Sequence, residues 1–141
     1  MGAPRYAQAK DYEAQEQIAV VEWAALAPHP SLPGKVGDYL HATPNGGYKL
    51  SPALAKKMKR MGLKAGVSDL FLATAVAPYH GLYVEMKKQR QHFDCNSSIK
   101  AAMRASQVEW IDRMALAGFH GSFAYGAEEA IAIIEEYLHG R

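Results

Sequence analysis

Cysteine is almost absent from this chain: Cys95 is the only one in 141 residues. That excludes an intramolecular disulfide and a cysteine-built zinc site, and it fits a reducing compartment such as the cytoplasm. No apolar run approaches the roughly 20 residues needed to cross a bilayer, and the first residues lack the apolar centre of a secretory signal. No membrane partner is expected. Nor is there an excess of one charge, since 16 Lys and Arg against 14 Asp and Glu leave a formal net charge of only +2. Any nucleic-acid surface must therefore come from local clustering. There is no internal repeat and no low-complexity tract. With 49% hydrophobic and 21% charged residues, the composition is that of one globular domain over residues 1–141, with residues 1–10 expected as a flexible lead-in.

The most informative stretch runs from Gly66 to Lys87. Two apolar and aromatic arms, Gly66 to Ala73 and Leu82 to Lys87, flank a loop through Pro78 and Gly81, which predicts a pair of short strands. Antiparallel pairing about a centre near Ala77 sets Phe71 opposite Tyr83, Asp69 opposite Glu85 and Val67 opposite Lys87, all on one face. Opposed carboxylates repel. A divalent cation offsets that repulsion, because Mg²⁺ favours one or two carboxylates plus water and phosphate oxygens over an all-protein cage. Lys87 adds a positive charge on the same face. Asp, Glu and Lys around an open coordination site form the set that phosphodiester hydrolysis needs; an exposed, solvated Glu-x-Lys pair is the plainer alternative.

The remainder supplies helices and a basic surface. Asp11 is a candidate cap for a helix over 12–26, stopped by Pro28 and Pro30. On it Ile18, Val21 and Ala25 share one face, and Glu13, Gln17, Val20 and Ala24 form the adjoining stripe at the edge of the buried surface. Residues 28–48 are rich in Pro and Gly and are expected to be irregular. The Thr43 to Gly47 turn, with Asn45, offers backbone amides to a phosphate or is an ordinary turn. Ser51-Pro52 starts a helix that Gly62 ends. This helix carries Lys56, Lys57, Lys59 and Arg60, is flanked by Lys49 and Lys64, and has no acidic neighbour from Lys49 through Ser68, so nonspecific DNA-backbone contacts are expected there. Lys88 to Ser98, including Lys88 and Arg90, is expected as a mobile basic loop. A helix beginning near Ile99 or Ala105 and ending at Ala117 turns Gln107 toward the sheet. Phe119 to Tyr125 predicts a strand, and the residues after Gly126 a last helix with Ala127, Ala130, Ile131, Ile134, Tyr137 and Leu138 inward and its glutamates in water.

Taken in order, Glu13 and Gln17, Gly66-Val67-Ser68-Asp69, Glu85-Met86-Lys87, and Gln107-Val108-Glu109-Trp110 resemble the VRR-NUC (virus-type replication-repair nuclease) family of the PD-(D/E)XK nuclease superfamily. The resemblance covers nearly the whole chain. Ser68 stands where the family usually has Pro, and Arg104 where it usually has Ser. The resemblance implies an α/β fold with a restriction-endonuclease-like core, a central mixed sheet flanked by helices. It also implies a DNA endonuclease using Mg²⁺ or Mn²⁺, with Asp69, Glu85 and the Met86 backbone carbonyl as ligands and Lys87 stabilising the transition state. Glu13 would approach the ion or its water with Gln17 in support, Gln107 would border the site, and Asn45 would face DNA. Small members resemble Holliday-junction resolvases, which implies branched DNA as substrate and a homodimer. Two alternatives stand beside this reading: a nuclease for flapped or single-stranded DNA, and a DNA-binding module whose site is idle.

Overall fold

A computed structural model describes residues 11–44 and 50–140. The expected lead-in at residues 1–10 and the candidate DNA contacts Asn45 and Lys49 lie outside the described residues. Helix α1 (Asp11–Leu26) leads into a two-stranded antiparallel ribbon, β1 (Pro28–His29) and β2 (Leu32–Lys35), then a 3-10 turn over Val36–Asp38 and strand β3 (Leu40–Ala42). Helix α2 (Pro52–Arg60) precedes strands β4 (Leu70–Leu72) and β5 (Leu82–Lys87). A 3-10 turn (Arg90–His92), α3 (Asn96–Ala101), α4 (Ala105–Leu116), β6 (His120–Tyr125) and α5 (Ala127–Leu138) complete the described chain.

The main sheet has the order β3-β4-β5-β6, antiparallel except for the parallel β5–β6 pair. This is a mixed α/β architecture with a restriction-endonuclease-like core. Side-chain alternation along β5 divides its residues between two layers. Leu82, Val84 and Met86 point into a core shared with Val20 and Ala24 of α1 and Ala130, Ile134 and Leu138 of α5. Tyr83, Glu85 and Lys87 point to the other layer, where Trp110 of α4 meets Tyr83 edge to face at 5.7 Å. No helix among the described residues is long and apolar enough to cross a membrane.

Several expectations hold in detail. Phe71 pairs with Tyr83 as the spacing predicts, and Ser51 caps α2 by accepting the Leu54 N–H at 3.2 Å, with Pro52 as first helical residue. Others need correction. Residues 28–48 are not all irregular: they build the β1–β2 ribbon and β3, whose three residues give too short an alternation to stand out from the surrounding Pro and Gly. Strand β4 begins at Leu70 and not at Gly66, so neither the expected Asp69–Glu85 pair nor the Val67–Lys87 pair belongs to the ladder. The ladder stops at Leu70–Val84 because the Asp69 carboxylate, instead of a backbone carbonyl, takes the Met86 N–H at 2.8 Å. On α1 the buried stripe is Val20 and Ala24, while Ile18 and Val21 are exposed; the close approach of Gly37 to the Ala24–Ala25 backbone selects that side. The expected mobile loop after Lys87 is instead a 3-10 turn and a short helix, pinned by Arg90 and by a Tyr125 hydroxyl that donates to the Ile99 carbonyl at 2.9 Å.

Candidate active site

Glu85 and Lys87 occupy the last turn of pleat on β5, at 2% and 5% exposure. Charged side chains are rarely buried to this degree unless paired. Here Gln107, the third residue of α4, binds both. Its Nε2 donates to Glu85 Oε1 at 2.7 Å and its Oε1 accepts from Lys87 Nζ at 2.9 Å, while Lys87 Nζ lies 3.9 Å from Glu85 Oε1. Gln107 Oε1 also accepts the Arg104 N–H at 3.1 Å. That bond satisfies the amide of the residue before α4, the half of a capping arrangement that a Gln at the third helical position supplies. Arg104 itself makes no side-chain cap, and its carbonyl accepts the Gln107 N–H at 3.0 Å.

Asp69 enters from the bend before β4, its Oδ2 fixed by the Met86 N–H. Gly66 makes this approach possible. Its φ of +85° suits glycine, and a Cβ there would collide with the Ser106 carbonyl, one residue before Gln107. The segment carrying Asp69 and the helix carrying Gln107 can pack against each other only through that gap.

Electrostatically, Glu85 is the most perturbed group. Burial first, the charge of Asp69 second, and a hydrogen bond to Asp69 push its pKa up to about 9, although Lys87 pulls it down. Its Oε2 is buried and receives no hydrogen bond. Glu13, on α1, also has a raised pKa: loss of solvation around its carboxyl dominates, Asp69 adds to it, and Lys87 and Arg104 oppose it. Glu13 thus lies within electrostatic reach of Asp69 and Lys87. Gln17 is half-buried one turn along α1, but no hydrogen bond among the described residues links it to the others.

Two carboxylates, an oxygen without a donor and a neighbouring ammonium fit a hard divalent cation that keeps most of its ligands as water or phosphate. Among the described residues no group of three or more His, Cys, Asp or Glu side chains is arranged to hold an ion. The DNA-facing candidates are divided. Lys56, Lys57, Lys59, Arg60 and Lys64 are exposed. Lys88 lies over the Phe93 ring at 4.6 Å. Arg90 is engaged internally, forking onto Glu129 at 2.7 and 3.1 Å and stacking 4.4 Å from the Tyr125 ring; Glu129 therefore does not simply face water.

One structural tie escaped the sequence. Glu16 accepts the Gln89 amide at 2.6 Å and the Ala127 N–H at 2.7 Å, tying α1 to the segment after Lys87 and capping α5. The available signal was Gly126 at the N-cap of α5, where no side chain can satisfy the first amides; its φ of +96° explains the glycine.

The sheet and its flanking helices define a restriction-endonuclease-like α/β protein. More particularly, the chain has the VRR-NUC fold: it is similar to a solved "VRR_NUC domain protein" with a TM-score of 0.72 and 29% sequence identity, over 92% of this chain and 89% of that one. No protein-family model matches the chain, and no curated protein does.

Proposed function

We propose that this chain is a nuclease that hydrolyses DNA phosphodiester bonds at the Asp69–Glu85–Lys87 centre with Mg²⁺ or Mn²⁺. The observation that carries this reading is Glu85: a buried carboxyl crowded against Asp69, with its pKa pushed up to about 9, beside an ordered ammonium. Such a group is costly to keep ionised alone and is stabilised once it shares a cation with Asp69. The VRR-NUC fold supports the same reading.

Asp69, Glu85 and the Met86 carbonyl would hold the ion, with Glu13 at its edge. When bound, the ion polarises a phosphoryl oxygen and makes water more acidic. The rest falls to the chain. Lys87, aimed by Gln107, places its ammonium where negative charge grows on the phosphoryl group during in-line attack, and burial strengthens that interaction. Glu13 and Gln17 orient water from the α1 side. Lys56, Lys57, Lys59, Arg60, Lys64 and Lys88 hold the substrate backbone without reading sequence. The family resemblance extends the proposal to branched DNA, Holliday junctions included, cut by a homodimer whose two-fold axis matches the junction, in the cytoplasm where that DNA lies.

The test is cleavage of labelled four-way, flapped and linear duplexes of equal length with Mg²⁺, Mn²⁺ or EDTA. Metal-dependent cutting, fastest on the junction, is expected. Equal rates on all three remove junction selectivity, and binding with no cutting in either metal makes the chain an idle DNA-binding module.

A further inference from the structure

Beside the candidate active site lies a second concavity. It has a volume of about 330 Å³ and is lined by Arg90, Asn96, Ile99, Lys100, Met103 and Tyr125. Its floor is Tyr125, which pairs with Lys87 in the parallel β5–β6 ladder. Parallel neighbours in register present their side chains to the same face, so this pocket opens on the layer that holds Glu85 and Lys87. Both strands end here, and the carboxyl ends of parallel strands are where open α/β sheets bind ligands. The two sites are linked along the chain: Met103 precedes Arg104, whose N–H is bonded to Gln107 and whose charge is felt by Glu13.

The lining fits a nucleobase better than a phosphate. Ile99 and Met103 are apolar surfaces of the kind that the faces of a base cover, and the buried Tyr125 ring backs the Arg90 guanidinium beside them. Arg90 is paired with Glu129, and its guanidinium carbon sits 4.4 Å over the Tyr125 ring, so it contributes a planar surface more than a charge. The exposed Asn96 amide carries both donors and an acceptor, as the edge of a base requires. Lys100 stands at the rim, suited to the phosphate attached to that base. A base inside a duplex cannot present its edge and both faces in this way.

Resting on the nuclease reading above, we infer that this pocket receives one unpaired base of the strand being cut, next to the phosphate held at Lys87. Substrates would then be those with an unstacked nucleotide beside the cleaved bond, at branch points, flaps or bulges, and a continuous duplex would be a poor substrate.

The experiment compares native protein and Asn96→Trp, which fills the pocket from an exposed position, on a flapped duplex cut with Mn²⁺. Each of the three nucleotides on either side of the cleaved bond is replaced in turn by an abasic residue. At one position the native enzyme is expected to slow by at least about tenfold, the size expected when one base-stacking interaction is removed, with the other positions near the unmodified rate. Asn96→Trp, melting like the native protein, should cut the unmodified flap at that same reduced rate and be indifferent to the abasic replacement. Native rates that are equal at all six positions would overturn the base pocket and leave the nuclease reading standing. Absence of cutting on every substrate would overturn the nuclease reading, and the pocket with it.

Discussion

Strand β5 and helix α2 carry their charges under opposite conditions. On β5, Glu85 and Lys87 are almost fully buried, flanked by Val84 and Met86, which are at 0% and 1% exposure. On α2, Lys56, Lys57, Lys59 and Arg60 follow one another on a helix with no buried residue. Solvent screens the second group, so each charge acts weakly and over a distance of about 8–10 Å at ordinary salt. Burial unscreens the first. A single proton or cation there changes the energy of the whole site, which is why one region is suited to chemistry and the other to holding a polyanion.

The contrast has measurable consequences. The largest is on catalysis: Lys87→Ala is expected to lower the cleavage rate about 10²- to 10³-fold, the decrease typical of removing one preorganised charge-stabilising group, whereas Lys57→Ala should leave the rate at saturating DNA near the native value. A comparable effect of both in single-turnover assays would erase the distinction. Next comes stability. Leu82→Ala, at a fully buried position of the same strand, should cost about 2–5 kcal/mol in urea unfolding, while Lys57→Ala should stay within about 0.5 kcal/mol.

A third effect depends on pH. In EDTA the raised pKa of Glu85 means that the folded protein keeps a proton that the unfolded chain releases first. Stability from this group is therefore fully present below the ordinary carboxyl value of 4.5 and is lost as pH rises toward about 9. Melting temperature should fall over that window, and Glu85→Gln should flatten the fall. A native curve that climbs through the same range would mean that Glu85 is ionised in the fold. The smallest effect belongs to α2. Reversing the charge of Lys56 and Lys57 together should lower the slope of log K against log salt for DNA binding by about 0.9 for each phosphate that the helix no longer neutralises. An unchanged slope would take α2 out of the interface.

The same contrast explains what could be read before the fold was known. The β4–β5 register follows from apolar residues spaced symmetrically about residue 77, and Ser51-Pro52 marks a helix start because its signal is local. Asp69 lies just beyond that register and reaches Glu85 through the bend in which its carboxylate takes the Met86 N–H. Three features were out of reach for physical reasons. Strand β3 has only Leu40, His41 and Ala42, and owes its place to pairing with β4. Helix α1 spreads its apolar residues over several faces, so Ile18 and Val21 looked as buriable as Val20; tertiary packing against Gly37 decided. The Glu16 bridge to Gln89 and Ala127 joins residues 73 and 111 positions apart, beyond any local pattern. Gln107 stood between: helical spacing turned it toward the sheet, but its simultaneous bonds to Glu85, Lys87 and Arg104 emerge only from the packed fold.

The most direct test of the account is Mn²⁺-dependent cleavage of a labelled four-way junction by native protein and by Glu85→Gln, which keeps the shape of the side chain and its bond with Gln107 within reach but removes the charge. Cutting by the native chain is expected, with its abolition by EDTA and its loss in a variant that melts cooperatively and still binds the junction. Cutting by Glu85→Gln at the native rate would contradict that expectation and place the chemistry elsewhere on the molecule.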